Sequence, residues 1–217
     1  MSEILCFTSR SLCRENVPGT VQSRSDCEQQ TAGFLKRIDE IAACQPAAIV
    51  LREKDLPESE YSELAARVLA VCRARRIRCI LHSFVASAID LGADAIHLPL
   101  PELRKLTENQ KDCFKTIGAS CHSVADAREA EALGCTYITA GHIFDTACKK
   151  GLPGRGIPFL KSVVDAVDIP VYAIGGIGPE NAGAVLETGA AGICVMSSVM
   201  QCPDVGDLFR QLESAAE

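Results

Sequence analysis

The chain has 217 residues, of which 47% are hydrophobic and 23% charged, and its formal net charge is −6. This length suits one domain with a sizeable core, and the acidic balance argues against a nucleic-acid-binding surface. The first residues lack the basic, apolar and small-residue layout of a secretory signal, and no apolar run approaches the roughly 18 residues of a membrane span. We therefore expect a cytoplasmic protein with neither nucleic acid nor membrane as a partner.

Twelve cysteines are scattered along the chain, and none of them form a Cys-x-x-Cys pair. Most lie in apolar segments, where a free thiol packs as a small hydrophobic group. This distribution favours a reducing compartment over a disulfide framework or a zinc site. The cysteines therefore support the cytoplasmic location.

Short apolar segments rich in β-branched residues alternate with helical patterns along the whole chain. Such segments are typical of strands that are buried on both faces of a parallel sheet. Eight strand–helix repeats with no linker between them predict an α/β fold, a (β/α)8 TIM barrel, as a single domain over residues 1–217. The predicted strands are 4–8, 47–51, 78–82, 94–98, 115–120, 136–140, 171–174 and 192–196.

The segments between these strands are predicted to be mostly helical. A polar stretch at residues 9–26 is the exception, and we expect it to form a loop over one end of the barrel. Two further helices are expected to open at Gly178-Pro179 and at Ser197, and a last one begins near residue 204. The remaining predicted helices are 27–44, 57–75, 84–91, 101–110, 124–133 and 157–167.

Two strand-to-helix breaks near the C-terminus carry the clearest functional signal. The seventh strand ends at Gly175-Gly176, and the eighth ends at Met196-Ser197. Glycine lets the backbone approach a ligand, and the N–H groups that begin a helix carry partial positive charge. Consecutive strands of this kind form the usual phosphate site of a TIM barrel. The pattern predicts a phosphate site made by the backbone of these four residues, with a simple tight turn at Gly-Gly as the alternative.

Charged residues follow the second strand, at the end of the barrel where this fold carries out its chemistry. Arg52 and Lys54 are two residues apart, so their side chains leave the same side of an extended chain. Both could contact an anion. Salt bridges with Glu53 or Asp55 are the structural alternative, and the sequence leaves the two open.

Ser120 and His122 follow the fifth strand with the same spacing of two. Imidazole gives and takes a proton near neutral pH, so a histidine that faces the phosphate site indicates acid–base chemistry. A helix-capping role for His122 is the structural alternative. A thiol–imidazole pair with Cys121 is disfavoured because neighbours on a strand face opposite ways. His97, which an apolar segment follows, is expected to pack in the core.

Residues 141–156 form a long predicted loop with several glycines and cations. The hydroxyl of Thr146 and the ammonium of Lys149 would let this loop close as a mobile lid over an anionic substrate. A surface loop is the alternative, although a loop of this length is unusual without a function.

Together these segments resemble the thiamine phosphate synthase/TenI superfamily over nearly the whole chain from the second strand onward. The order and spacing of the segments carry the resemblance. They are Leu51-Arg-Glu-Lys54, Leu91-Gly-Ala-Asp-Ala-Ile-His-Leu98, Gly118-Ala-Ser-Cys-His-Ser123, residues 141–156 and Ile169-Pro-Val-Tyr-Ala-Ile-Gly-Gly-Ile177. The resemblance implies a phosphorylated thiazole as the small-molecule partner, and a pair of barrels as a homo-oligomer is compatible with the fold.

The resemblance divides between two branches of the superfamily. The synthase branch uses magnesium to join a pyrimidine pyrophosphate to a thiazole phosphate, with Asn-Asp-Arg after strand three and Gln-Glu-Asp after strand four. Here these positions read His82-Ser-Phe84 and Leu100-Pro-Glu102, which leaves one acid where two ligands are wanted. Residues 141–156 are instead similar to the loop of TenI, a thiazole tautomerase that moves a ring proton without a metal.

On this resemblance we expect a thiazole tautomerase of the TenI type, an isomerase of thiamine biosynthesis with no cofactor and no metal. It would convert a thiazole carboxylate phosphate into its aromatic tautomer, with His122 as the acid–base group and Ser120 beside it. The residues expected to bind substrate are Arg52, Lys54, Ser120, Thr146, Lys149, Gly175, Gly176, Met196 and Ser197. A magnesium-dependent thiamine phosphate synthase and a non-catalytic barrel that binds a phosphorylated ligand are the alternatives.

Overall fold

The computed structural model of the chain describes residues 3–13, 24–149 and 151–215. Its eight strands are all parallel, and each pairs with the next along the chain until the eighth pairs back with the first. The sheet is therefore a closed barrel, and the predicted TIM-barrel fold is confirmed. The strands are β1 (Glu3–Phe7), β2 (Ala48–Leu51), β3 (Cys79–His82), β4 (Ala95–Pro99), β5 (Thr116–Cys121), β6 (Tyr137–Gly141), β7 (Val171–Ile174) and β8 (Gly192–Val195).

In the described part of the chain, eight helices lie between these strands and two more follow β8. Short 3-10 turns at Arg10–Leu12 and Ala147–Lys149 supplement them. The helices are α1 (Arg24–Ala43), α2 (Glu58–Arg75), α3 (Val85–Asp90), α4 (Leu100–Leu103), α5 (Glu108–Lys111), α6 (Val124–Ala132), α7 (Gly156–Val164), α8 (Ala182–Leu186), α9 (Ser197–Gln201) and α10 (Val205–Ser214).

The strands bury both of their faces, which explains their apolar sequences. Every residue of β2, β3, β6 and β8 is buried. Outward-facing side chains such as Ile49 pack with helix residues such as Leu64 and Val68 in one large cluster. Inward-facing side chains such as Phe7 and Tyr137 form a second, smaller cluster inside the barrel. A parallel barrel covered by helices requires this double burial.

The predicted helix at residues 101–110 is wrong in one respect, because it is two short helices. Thr107 lies in an extended conformation between them and caps α5. Its side chain accepts from the Gln110 N–H, and the Gln110 side chain accepts from the Thr107 N–H. This capping box starts a new helix and ends the old pattern.

Two other boundaries differ from the predicted ones. The helix expected at Gly178-Pro179 begins only at Ala182, because the Asn181 side chain accepts from the Gly178 N–H and donates to the Gly176 carbonyl, which holds a turn instead. The loop expected at 9–26 includes the first residues of α1, and most of the rest of it lies outside the described residues. Within the described ranges, no helix has the length and hydropathy that crossing a bilayer requires.

Candidate active site

A cavity of about 560 Å³ lies at the carboxyl ends of the strands, where parallel strands of a TIM barrel place their functional residues. Phe7 and Ile174 belong to its apolar wall. All ten predicted site residues line it: Arg52, Lys54, Ser120, His122, Thr146, Lys149, Gly175, Gly176, Met196 and Ser197. The structure therefore brings the whole predicted set together.

Arg52 and Lys54 extend from the end of β2 toward this cavity without a carboxylate partner. The alternative salt bridges are not formed, since Glu53 and Asp55 both pair with Arg10 instead. Glu53 is only 3% exposed and accepts from the Thr8 hydroxyl at 2.6 Å and the Arg10 N–H at 2.9 Å. Among the described residues, Arg52 and Lys54 thus carry positive charge that no acid neutralises.

Lys149, from the 3-10 turn of the loop, adds a third positive charge beside this pair. Burial lowers the pKa of the Lys54 ammonium, and the charges of Arg52 and Lys149 lower it further. Three cations at one wall repel one another, so an anion placed among them would relieve that repulsion. We call Arg52, Lys54 and Lys149 the cation trio.

His122 lies just beyond β5 with an exposed side chain. Its Nδ1 is 2.9 Å from the Gly141 carbonyl oxygen, so Nδ1–H donates and Nε2 stays free for the cavity. The capping alternative is wrong, because the N-cap of α6 is Ser123, whose hydroxyl accepts from the Asp126 N–H at 3.0 Å. The Asp126 carboxylate in turn accepts from the His122 backbone N–H at 2.8 Å. Ser123 and Asp126 hold the turn through these hydrogen bonds, and the imidazole of His122 faces the cavity.

The glycines after β7 have a packing role that the sequence did not reveal. Gly175 and Gly176 have φ angles of 103° and 66°, values that favour glycine. A Cβ on Gly175 would clash with the His142 Cβ, and one on Gly176 would lie 2.6 Å from the Asp145 carbonyl oxygen. The turn therefore lets loop 141–156 pack directly on the end of β7.

Loop 141–156 is anchored at both of its ends. The Phe144 N–H donates to the Gly175 carbonyl, and the Arg155 N–H donates to the His142 carbonyl, each at 3.0 Å. Thr146 and Lys149 lie at the middle of the loop and line the cavity. These two hydrogen bonds therefore hold one end of the loop against β7 and join the two ends to each other.

The helix α9 begins one residue after β8 and also contributes to the cavity. The N–H groups of Ser197 and Ser198 belong to the first turn of this helix, so neither has a partner within it. Both residues line the cavity, with Met196 before them. This arrangement supplies hydrogen-bond donors to an anion without a charged side chain.

Two buried histidines form part of the site that sequence reasoning missed. His82 lines the cavity, and its ring stacks on that of His97 with the centroids 5.5 Å apart. His97 is fully buried, as predicted, but its Nε2 lies 2.9 Å from the Ser120 hydroxyl and its Nδ1 lies 2.9 Å from the Tyr137 hydroxyl. Burial lowers the pKa of His97 to about 3 and that of His82 well below its ordinary value. Both rings are therefore neutral.

The family of this chain is shown by comparison with known proteins. A family model described as thiamine monophosphate synthase, TMP-TENI, matches residues 20–199. The chain belongs to this family.

Individual family members agree with that assignment. Thiamine-phosphate synthases from Clostridium acetobutylicum and Moorella thermoacetica are 33% and 37% identical over 182 and 172 residues, or 82% and 76% of this chain and 84% and 80% of those proteins. The structure of thiamine phosphate pyrophosphorylase from Pyrococcus furiosus has a TM-score of 0.78 at 27% identity, covering 99% of this chain and 95% of that one.

These relatives overturn the expected thiazole tautomerase. They are synthases, which are transferases, so the isomerase class and the TenI-type activity predicted from the sequence are wrong. The prediction relied on a few local segments, mainly residues 141–156 and the missing acids, whereas the likeness to synthases extends over 172 to 182 residues. Thiamine biosynthesis and the family itself were predicted correctly.

The magnesium site of the synthase branch does not fit the side chains present here. Among the described residues, Asp126 is the one carboxylate that lines the cavity. Glu102 lies outside that lining and pairs with Lys105 at 2.8 Å. His82 and Ser83 offer a neutral ring and a hydroxyl where the family has an acid. Within the described residues, no group of three or more histidine, cysteine, aspartate or glutamate side chains is placed to hold a metal ion. Magnesium prefers several hard, anionic oxygens, which this donor set does not provide.

Proposed function

We propose that the chain is a thiamine-phosphate synthase that joins a pyrimidine pyrophosphate to a thiazole phosphate. In this reaction a bond forms between the thiazole nitrogen and a carbon of the pyrimidine substrate. The bond from that carbon to the diphosphate breaks, and the diphosphate leaves with the electron pair. One observation carries the proposal: a chain 33% to 37% identical to thiamine-phosphate synthases gathers all its candidate site residues around one cavity, among them three cations and the glycines after β7.

The first anion site would hold the phosphate of the thiazole substrate. It consists of backbone N–H groups from Gly175, Gly176, Met196 and Ser197, which line one side of the cavity. Backbone donors at a helix start suit a phosphate dianion because they are fixed in direction and carry partial positive charge. Binding through the phosphate would orient the thiazole ring toward the middle of the cavity.

The second anion site would hold the diphosphate. Within the described part of the chain the cation trio has no competing carboxylate, so its charge is available to an anionic substrate. Negative charge grows on the diphosphate as its bond to carbon breaks, and cations fixed beside it stabilise that charge. Thr146, in the same loop as Lys149, would supply a hydroxyl to a further phosphate oxygen. In this way cationic side chains of the protein would stabilise the negative charge of the diphosphate, which the synthase branch stabilises with magnesium.

His122 remains the candidate catalytic residue, in a role suited to this reaction. Its Nδ1–H is committed to the Gly141 carbonyl, so a protonated ring would donate from Nε2 to a diphosphate oxygen. Such a donor would stabilise the leaving group and assist its departure. Ser120, beside it on the cavity floor, would contact the pyrimidine.

We also place the enzyme in the cytoplasm, with phosphorylated heterocycles as its partners. The support is chemical, because the eleven cysteines whose side chains the structure describes are free thiols. A reducing compartment keeps thiols in that state.

The direct test is synthesis of thiamine phosphate from the two purified substrates. We expect turnover by the wild-type protein and a loss of about 10² or more in kcat/KM for Arg52→Ala, since a charge-assisted contact to the departing group is removed. Arg104→Ala is a matched control, because Arg104 also lines the cavity but its guanidinium is bound by Glu129 at 2.6 and 2.8 Å. Binding of both substrates without product would overturn the proposal in favour of a non-catalytic binding barrel.

A further inference from the structure

A line of polar side chains runs through the otherwise apolar interior of the barrel. His97, on β4, is its centre and is fully buried. Above it, toward the cavity, lies Ser120 of β5, and below it lies Tyr137 of β6, both 2.9 Å from a ring nitrogen. Every polar atom of the imidazole therefore has a partner, and only Ser120 of the three residues lines the cavity.

The direction of these two hydrogen bonds follows from the buried phenol. Among the described residues, the Tyr137 hydroxyl has His97 as its one hydrogen-bond partner. A buried O–H that donates to nothing loses the energy of a hydrogen bond, and burial raises the pKa of Tyr137 well above its ordinary value, so the proton stays on the phenol. The Tyr137 O–H therefore donates to Nδ1 of His97.

The remaining bond is then determined by the chemistry of a neutral imidazole. Such a ring carries one N–H, and Nδ1 is already an acceptor, so the proton lies on Nε2. The Nε2–H of His97 donates to the Ser120 oxygen, and the hydroxyl proton of Ser120 has no acceptor among the described residues. That proton is left to point into the cavity.

We propose that Tyr137 and His97 are positioning residues that fix Ser120 as a hydrogen-bond donor to the substrate. The group that meets the Ser120 proton is then an acceptor, such as an unprotonated ring nitrogen. The inference rests on the proposed function only for the identity of the substrate. The orientation of the three side chains is independent of it.

Two features of the surroundings preserve this arrangement. A Cβ on Gly118 would clash with the phenol ring of Tyr137, so glycine at this position leaves the space that the hydroxyl needs to reach His97. The His97 ring is enclosed by aromatic rings, with Phe7 edge-on at 5.5 Å and His82 stacked at 5.5 Å. Neither neighbour offers the ring a carboxylate, so nothing stabilises a second proton on it.

The tautomer of His97 can be measured directly in the substrate-free protein. Nitrogen NMR of protein labelled at its histidines distinguishes a protonated Nε2 from a protonated Nδ1, and the His97 signal is the one that disappears in His97→Gln. We expect the Nε2–H form in the wild type and a mixture of the two tautomers in Tyr137→Phe. Tyr172→Phe is the matched control, since its hydroxyl bonds Glu3 rather than His97, and it should keep the wild-type form. A protonated Nδ1 in the wild type, or an unchanged tautomer in Tyr137→Phe, would overturn the proposal.

A double-mutant cycle then connects the tautomer to the substrate. We expect Ser120→Ala and Tyr137→Phe each to raise the KM for the pyrimidine substrate about tenfold, the value of one hydrogen bond, with much less effect on kcat. The double variant should be no worse than Ser120→Ala alone, because Tyr137 acts through Ser120. Effects that multiply would contradict the proposal. Absence of turnover in every protein, with the expected tautomers, would instead reject the proposed function and leave the positioning of Ser120 supported.

Discussion

Two neutral histidines, His82 in the cavity lining and His97 stacked on it in the barrel interior, should make the protein sensitive to mild acid. Burial, the main cause, holds the pKa of His97 at about 3 and that of His82 well below its ordinary value of 6.5. When the chain unfolds, both rings return to water and take up a proton at any pH below about 6.5. The unfolded state then binds more protons than the native state, so the free energy of unfolding falls as the pH falls.

The size of this effect can be worked out for His97 alone. A group with a pKa of about 6.5 in the unfolded chain and about 3 in the native protein lowers the free energy of unfolding by about 2 kcal/mol between about pH 7 and about pH 5. His82 acts in the same direction over the same range. Glu53 acts in the opposite direction, because burial raises its carboxyl pKa, so the slope of the wild type alone does not isolate one residue.

A comparison of variants isolates His97. His97→Gln removes the titrating ring, so its free energy of unfolding, measured by urea titration, should fall about 2 kcal/mol less than that of the wild type over this range. Ser120→Ala is the control, since it removes one hydrogen bond of His97 but leaves the imidazole buried, and its pH slope should match that of the wild type. Equal slopes for His97→Gln and the wild type would show that the ring is not held neutral, and the direction assigned to the Ser120 hydrogen bond would fall with it.

Three further predictions concern the site itself. Chelation of divalent cations with EDTA should leave turnover largely unchanged, because the cation trio rather than a set of carboxylates faces the diphosphate; activity that vanishes and returns with Mg²⁺ would contradict this. Gly176→Ala should raise the KM for the thiazole phosphate, since the new Cβ would lie 2.6 Å from the Asp145 carbonyl oxygen. Gly92→Ala is the control, because its φ of 63° strains an alanine but the space around it is open. It should lower the melting temperature and leave KM unchanged. His122→Ala should lower kcat by about 10² to 10⁴ without a matching loss of substrate affinity, as expected for a proton donor to the leaving group. An unchanged kcat in the folded variant would remove His122 from the mechanism.

The fold and the membership of the site could be predicted from the sequence because both are encoded locally. Each strand is a short, largely apolar segment, several strands are followed directly by a polar residue, and in a closed parallel barrel the ends of all strands meet. Arg52, His122 and Gly176 therefore come together whatever the details of packing are. The break between α4 and α5 was not predicted. Its sequence signal is a single capping box at Thr107 and Gln110, within a pattern that is otherwise helical.

The links inside the barrel could not be predicted in this way. The contact between His97 and Tyr137 joins inward-facing residues of two strands that are not adjacent, across the space left by Gly118 on the strand between them. A lone histidine before an apolar segment indicates packing, and His97 is indeed buried. The sequence does contain a size pattern, a glycine on one strand and a tyrosine on the next. This pattern can be interpreted only once the strand register that pairs Gly118 with Tyr137 is known.

Neutral residues stand where the synthase branch has acids, and this difference determines which ions the cavity attracts. A synthase with two carboxylates attracts Mg²⁺, and the metal then neutralises the diphosphate. Here uncharged His82 lines the cavity with uncharged His97 buried behind it, and the cation trio lines the cavity as well. The mutual repulsion of the trio contributes to the lowered pKa of Lys54. A divalent cation would be repelled by such a wall, whereas a diphosphate would be attracted to it and would raise the pKa of Lys54 on binding. The same residues that leave magnesium without ligands therefore favour the anion directly.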